Sequence, residues 1–185
     1  MSGRGWMYES APWRTELHKF AITILDARCW PCEDVPFELE RSLFYSATVL
    51  RKLAEDQKFG DDFRTLSVPV TRYKTKVSPK DSVSRNLPGD VDFGHTSGER
   101  ISLSAWELSN QLIHAFGRYW NIADDGIING VIVSSYRAQD RYAYHFDLPD
   151  WARLLRVAAE MEVVEITRQH GKKPVYVTGR RSLRS

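Results

Sequence analysis

The chain has 185 residues, the length of a single domain. Hydrophobic residues make up 42% of it and charged residues 27%, which excludes a disordered, collagen-like or coiled-coil protein. No apolar run is long enough for a membrane helix or a signal peptide, and two cysteines are too few for a secreted disulfide framework, so we predict a cytoplasmic protein with no membrane partner. The net charge is only +2, so any attraction to nucleic acid would come from a local basic segment.

Two helices are predicted after an N-terminal arm of residues 1–14. Apolar residues recur at steps of three and four in both stretches: Leu17, Phe20, Ala21 and Ile24, then Leu39, Leu43, Leu50 and Leu53. The second helix is expected to span residues 37–59, with Pro36 suited to its first turn and Gly60 to its end. Residues 20–25, FAITIL, are β-branched enough that a strand is the alternative for the first stretch.

A C-x-x-C motif, Cys29-Trp30-Pro31-Cys32, lies between these helices. Because the chain has no second cysteine pair and no His pair at ligand spacing, the motif does not predict a zinc site. The run FAITIL, the cysteine pair with Pro31, a following helix and then Val68-Pro69 resemble thioredoxin. That resemblance implies thiol redox chemistry, with Cys29 alkylated selectively near neutral pH. The alternative is a pair of small, partly buried residues in a turn between helices.

Residues 65–77, TLSVPVTRYKTKV, alternate in a pattern typical of an edge strand with one charged face, with Pro69 near an end or a bulge. Residues 78–98 are rich in Ser, Gly, Pro and Asp, which predicts a long loop.

A third helix is predicted from a capping box, Ser104 followed by Glu107, to about Tyr119. Asn110 and His114 are one turn apart on its polar face. The pair resembles the end of the Arg-to-His helix motif of HEPN ribonucleases, although Glu107, Leu108 and Ser109 fill the positions where that motif has its Arg. The resemblance implies metal-independent cleavage of RNA with Asn110 and His114 as catalytic residues. The alternative is that His114 is a solvated helix residue.

Two β-rich runs, residues 127–136 and 141–146, are separated by the polar turn RAQD and predict a hairpin. Aromatic and charged residues are interleaved in it: Tyr136, Arg137, Asp140, Arg141, Tyr142, Tyr144 and His145. Such residues can stack on bases and hold phosphates. Ordinary cross-strand pairing is the alternative.

A fourth helix, with Trp151, Leu154, Leu155 and Ala158 on its apolar side, precedes a last hairpin, VVEIT with PVYVTG. The final segment, residues 168–185, carries six basic and no acidic residues: Arg168, Lys172, Lys173, Arg180, Arg181 and Arg184. It is either a solubilising tail or a contact for nucleic-acid phosphates. The elements together predict an α+β domain, residues 1–185, whose antiparallel sheet of hairpins is covered on one face by about four helices.

The leading functional hypothesis is a non-enzymatic intracellular binding protein of prokaryotic or phage type, whose partner is a protein or a nucleic acid. Its binding residues would be Tyr136, Arg137, Arg141, Tyr142, Tyr144, Lys172, Lys173, Arg180 and Arg181. No P-loop, GxGxxG, GxSxG or HExxH motif occurs, and we expect neither a cofactor nor a metal. A ribonuclease using Asn110 and His114 is the first alternative, and a redox protein using Cys29 and Cys32 is the second. The oligomeric state stays open.

Overall fold

The computed structural model describes residues 9–29, 37–74, 98–135, 137–138, 141–167 and 173–180. In chain order these residues form α1 (Ala11–Ala27), α2 (Phe37–Glu55), a 3-10 helix (Asp61–Thr65), β1 (Ser67–Lys74), β2 (Glu99–Ser104), α3 (Ala105–Ile113), β3 (Ala115–Ile122), β4 (Ile128–Ser135), β5 (Tyr142–Asp147), α4 (Leu148–Glu160), β6 (Met161–Thr167) and β7 (Val175–Arg180). The predicted loop 78–98 lies outside the described residues except for Gly98.

Both predicted N-terminal helices are present, with corrected ends. The N-terminal arm is shorter than predicted, because α1 begins at Ala11. Helix α2 ends at Glu55 rather than at Phe59 before Gly60. Gln57 adopts the left-handed conformation (φ 56°), and the Lys58 N–H donates to the Leu53 carbonyl at 2.9 Å, which is the bonding of a Schellman helix end. Gln57 therefore adopts the left-handed conformation that we expected a glycine to supply at the end of the helix.

Five strands form one antiparallel sheet in the order β2-β1-β5-β4-β3. The prediction that β1 is an edge strand is wrong, since β2 pairs with one side of it and β5 with the other. Its charged residues are accommodated because they lie at the end of the strand away from the buried Val68 and Val70, where Arg72 pairs directly opposite Glu99 of β2.

The capping box of α3 is present, but the helix is shorter than predicted. The Glu107 N–H donates to Ser104 Oγ at 3.2 Å, and the Ser104 N–H donates to Glu107 Oε2 at 3.1 Å. Helix α3 stops at Ile113, and the residues expected to continue it form β3, which pairs with β4. Main-chain pairing with β4 overrides the helical spacing of Ala115 and Tyr119 here.

Replacing Ser104 by alanine should lower the free energy of unfolding by about 1 kcal/mol, because it removes the acceptor for the Glu107 N–H. Urea denaturation would measure the loss. Ser102→Ala is the matched control, since Ser102 is exposed in β2. Equal effects of the two substitutions would show that the cap contributes nothing measurable.

Both predicted hairpins are confirmed. Strands β4 and β5 pair with Val133 opposite Tyr144 and Val131 opposite Phe146. Strands β6 and β7 form a separate two-stranded sheet, so residues 175–180 of the basic segment are paired with β6.

The core lies between one face of the five-stranded sheet and the helices, which confirms the α+β class. Helices α3 and α4 contact the sheet, and α1 and α2 pack against these two helices. Trp151 of α4 is fully buried at the centre, where its Nε1 donates to Ser46 Oγ of α2 at 3.1 Å. The fully buried side chains of the core include Leu17, Ile24, Leu39, Leu43, Leu50, Leu53, Leu108, Leu112, Phe146, Leu148 and Leu155.

Candidate functional site

The predicted hairpin cluster is divided between the two faces of the sheet. Successive side chains of a strand point to opposite faces of the sheet. Tyr142 and Tyr144 of β5 therefore lie on the face toward the helices, and His145 lies on the other face. Arg137 and Arg141 are exposed in the connection before β5, and the Arg141 guanidinium donates to the Arg137 carbonyl at 3.5 Å. Tyr136 and Asp140 lie outside the described residues.

Arg72 of β1 completes the cluster on the helix side. It lies directly across from Tyr144, its guanidinium is 4.6 Å from the centre of the Tyr142 ring, and its Nη2 is 2.5 Å from Glu99 Oε2. The Tyr142 and Tyr144 ring centres are 6.5 Å apart. Lys74 lies directly opposite Tyr142. We call the group of Arg72, Lys74, Arg137, Arg141, Tyr142 and Tyr144 the tyrosine–arginine surface.

Basic residues outnumber acidic ones on this surface. Hydrogen bonding to Glu99 raises the pKa of the Arg72 guanidinium above its already high ordinary value. Burial raises the pKa of the Tyr144 phenol, and the positive charge of Arg72 opposes that rise. No carboxylate among the described residues lies within salt-bridge distance of Lys74, Arg137 or Arg141. Lys74, Arg137 and Arg141 are therefore three cations without an internal counter-ion in the described part of the chain.

Sequence reasoning missed Arg72 as a member of this site. Its position in β1 suggested only a charged strand face. The register between β1 and β5 brings Arg72 beside Tyr144, although about 70 residues separate them in the sequence. A local sequence pattern does not reveal such a register.

His145 occupies a different environment on the far face of the sheet. The Asn121 amide nitrogen is 3.3 Å from His145 Nε2, and Asp147 Oδ1 is 3.9 Å from it. The ring packs over Gly130, where a Cβ would lie 2.5 Å from Nε2. Among the residues with described positions, no group of three or more His, Cys, Asp or Glu side chains is arranged to hold a metal ion.

The Asn110 and His114 pair does not form a shared site in the described contacts. Asn110 Oδ1 accepts a hydrogen bond from Arg51 of α2 at 2.7 Å. His114 is the exposed residue that ends α3, and its backbone N–H donates to the Asn110 carbonyl at 3.1 Å. Within the described contacts, no hydrogen bond joins the two side chains. The hydrogen bond from Arg51 to Asn110 fixes the Arg51 side chain. His114 is exposed to solvent.

Cys29 lies just beyond the carboxyl end of α1, where its thiol is 3.7 Å from the Leu25 carbonyl. The run FAITIL belongs to α1, so the strand that precedes the cysteine pair in thioredoxin has no counterpart at residues 20–25. A helix stabilises a thiolate at its amino end, whereas Cys29 follows a carboxyl end. Cys32 lies outside the described residues.

Of the basic C-terminal candidates, Lys173 is described with its side chain exposed. It lines a cleft of about 680 Å³ together with residues from the end of α2, the 3-10 helix and the start of α3. Lys172 and Arg181 lie outside the described residues, and of Arg180 only the backbone, at the end of β7, is described.

Comparison with protein-family models, curated proteins and solved structures gives no match. In the described ranges, no helix combines the length and the apolar character needed to cross a bilayer.

Proposed function

We propose that the protein binds single-stranded nucleic acid through the tyrosine–arginine surface. The observation that carries the proposal is the placement of Arg72 over the Tyr142 ring, with Tyr144 beside it and Lys74 opposite Tyr142. Arg137 and Arg141 are exposed in the connection that precedes β5. Aromatic rings and guanidinium planes stack on bases, and neighbouring cations hold the phosphates.

The strand context favours single strands over duplexes. Tyr142 and Tyr144 are only partly exposed and lie on a sheet, so they present ring surface without projecting into a groove. Stacking on such rings needs bases that are not already stacked in a duplex. Glu99, which pairs with Arg72, competes with a phosphate for the guanidinium, so we expect modest affinity. The salt dependence should then depend mainly on the phosphate contacts of Lys74, Arg137 and Arg141.

Fluorescence anisotropy of a labelled mixed-sequence DNA or RNA strand, titrated at several salt concentrations, tests the proposal. We expect replacement of Arg137 and Arg141 together by alanine to reduce the log–log salt slope by about 0.7 for each arginine that contacts a phosphate. Tyr142→Ala should weaken binding by about 1–3 kcal/mol, whereas Tyr142→Phe should retain most of it because the ring remains.

Arg156→Ala is the matched control, because Arg156 is exposed on α4 and is not one of the residues that form this surface. Undetectable binding at low salt would refute the proposal. So would a salt slope that the double variant changes no more than the control does. Tighter binding to duplex than to single strands would contradict the stacking role of Tyr142.

A further inference from the structure

A cleft of about 680 Å³ opens on a different part of the molecule from the tyrosine–arginine surface. Its walls come from the end of α2, the 3-10 helix, the start of α3 and the Lys173-Pro174 segment before β7. Pockets of roughly 300–1,000 Å³ are the size that encloses small organic ligands. The space is therefore large enough for a ligand with one or two rings.

The inner surface of the cleft is aromatic. Phe59 and Phe63 are buried and stacked, with ring centres 4.5 Å apart and an angle of 14° between the rings. Trp106 also lines the cleft and keeps 36% of its surface exposed, although the Arg51 guanidinium lies 4.7 Å from its ring centre. Arg51 is itself fixed by Asn110, so the indole has a defined support. Such a surface favours a flat apolar group.

Two acidic and two basic residues line the cleft: Glu55, Asp61, Arg64 and Lys173. Glu55 is paired with Arg51 at 2.8 Å, and Asp61 also has an interaction partner within the protein. Arg64 and Lys173 are exposed, and no carboxylate of the described segments lies within salt-bridge distance of either. The cleft therefore combines ring surfaces with two cations that lack a counter-ion in the described structure.

We propose that this cleft is a binding site for a small organic anion with a flat aromatic body. The ring packs against Trp106 and the edge of the phenylalanine stack, and a carboxylate or phosphate contacts Arg64 and Lys173. A mononucleotide and an aromatic carboxylate share this chemistry. The proposal does not depend on nucleic-acid binding, because no residue of the tyrosine–arginine surface lines the cleft.

Ligand-observed NMR titration of the full chain tests the site with two pairs of probes. AMP and indole-3-acetate are the anions, and adenosine and indole-3-acetamide are their uncharged counterparts. We expect at least one anion to bind about tenfold more tightly than its counterpart, as for a hydrogen bond to a charged group. Binding of AMP alone would identify a nucleotide as the natural class, and binding of indole-3-acetate alone would identify a carboxylate.

Three variants connect that affinity to the cleft. Arg64→Ala and Lys173→Ala should each weaken anion binding about fivefold or more and leave the uncharged probes unaffected. Trp106→Leu should weaken charged and uncharged probes alike, with a melting temperature close to that of the parent because the side chain is partly exposed. Arg156→Ala is the control for loss of one exposed positive charge.

Three results would overturn the proposal. One is that neither anion binds at millimolar concentration. Another is that the uncharged probes bind as tightly as the anions, which would make the cleft merely apolar. The third is that Arg64→Ala and Lys173→Ala weaken binding no more than Arg156→Ala, which would place the anion elsewhere. None of these results bears on binding of single strands by the tyrosine–arginine surface.

Discussion

Replacing Trp151 by alanine should lower the free energy of unfolding by about 3–5 kcal/mol, the usual cost of emptying a large buried site. Trp151 is 0% exposed, packs beside Phe146 of the sheet and donates to Ser46 Oγ of α2. Its removal therefore opens a cavity where three elements meet and also removes a hydrogen bond. Urea denaturation followed by circular dichroism would measure the loss.

Trp13→Ala provides the matched control, because Trp13 is 42% exposed on α1. We expect it to cost far less than the buried substitution. Trp151→Phe should lie between the two, since the ring largely remains while Ser46 loses the donor from Trp151 and keeps its own bond to the Leu43 carbonyl at 3.0 Å. If Trp13→Ala were as destabilising as Trp151→Ala, the assignment of Trp151 to the centre of the core would be wrong.

Gly130→Ala should cost about 1–3 kcal/mol, because the methyl group has no space in the sheet. A Cβ at this position would lie 2.6 Å from the Phe146 carbonyl oxygen and 2.5 Å from His145 Nε2. The carbonyl belongs to the adjacent strand β5, so it can move only if the β4–β5 pairing is disturbed. Thermal and urea unfolding of the variant would measure the effect.

A double substitution separates the two clashes. In a His145→Ala background the imidazole is absent, whereas the main-chain clash with the Phe146 carbonyl remains. We expect Gly130→Ala to be less destabilising there than in the parent, yet still unfavourable. A fully neutral Gly130→Ala in the parent would contradict the close approach of β5 to this glycine.

The elements predicted best are those whose signals are local. The amphipathic repeat of Leu39, Leu43, Leu50 and Leu53 and the capping box at Ser104 each lie within a few turns of helix, and both are present. The alternation along β4 and β5 likewise predicted their hairpin. A short connection between two such strands leaves little freedom in how they pair.

The errors occurred where pairing partners are distant or where two periodicities overlap. Strand β2 has only Ile101 and Leu103 as apolar residues, too few to predict a strand alone. The charged face of residues 65–77 predicted an edge strand, and nothing in the local pattern indicated that β2 covers that side of β1. Residues 115–119 fit a helix as well as a strand. Only pairing with β4 decides between them.

For the candidate sites too, local patterns were informative and contacts between distant segments were not. The sequence analysis grouped Tyr142, Tyr144 and His145 in one cluster, whereas alternation along β5 places the two tyrosines on one face and His145 on the other. The cleft was not predicted, because its walls come from residues 54–64, 104–106 and 173–174. Nothing local in any of these stretches indicates that they meet.

The packing of α1 against α4 has a consequence for the order in which the chain folds. These helices are in direct contact although more than 100 residues separate them, so this part of the core forms by a long-range contact. A ribosome adds about 5–20 residues per second, so α1 and α2 would emerge roughly ten seconds before α4. During that interval the side of α1 that packs against α4 in the folded protein lacks its partner helix. The nascent helical hairpin thus exposes its apolar side until residues 148–160 have left the exit tunnel.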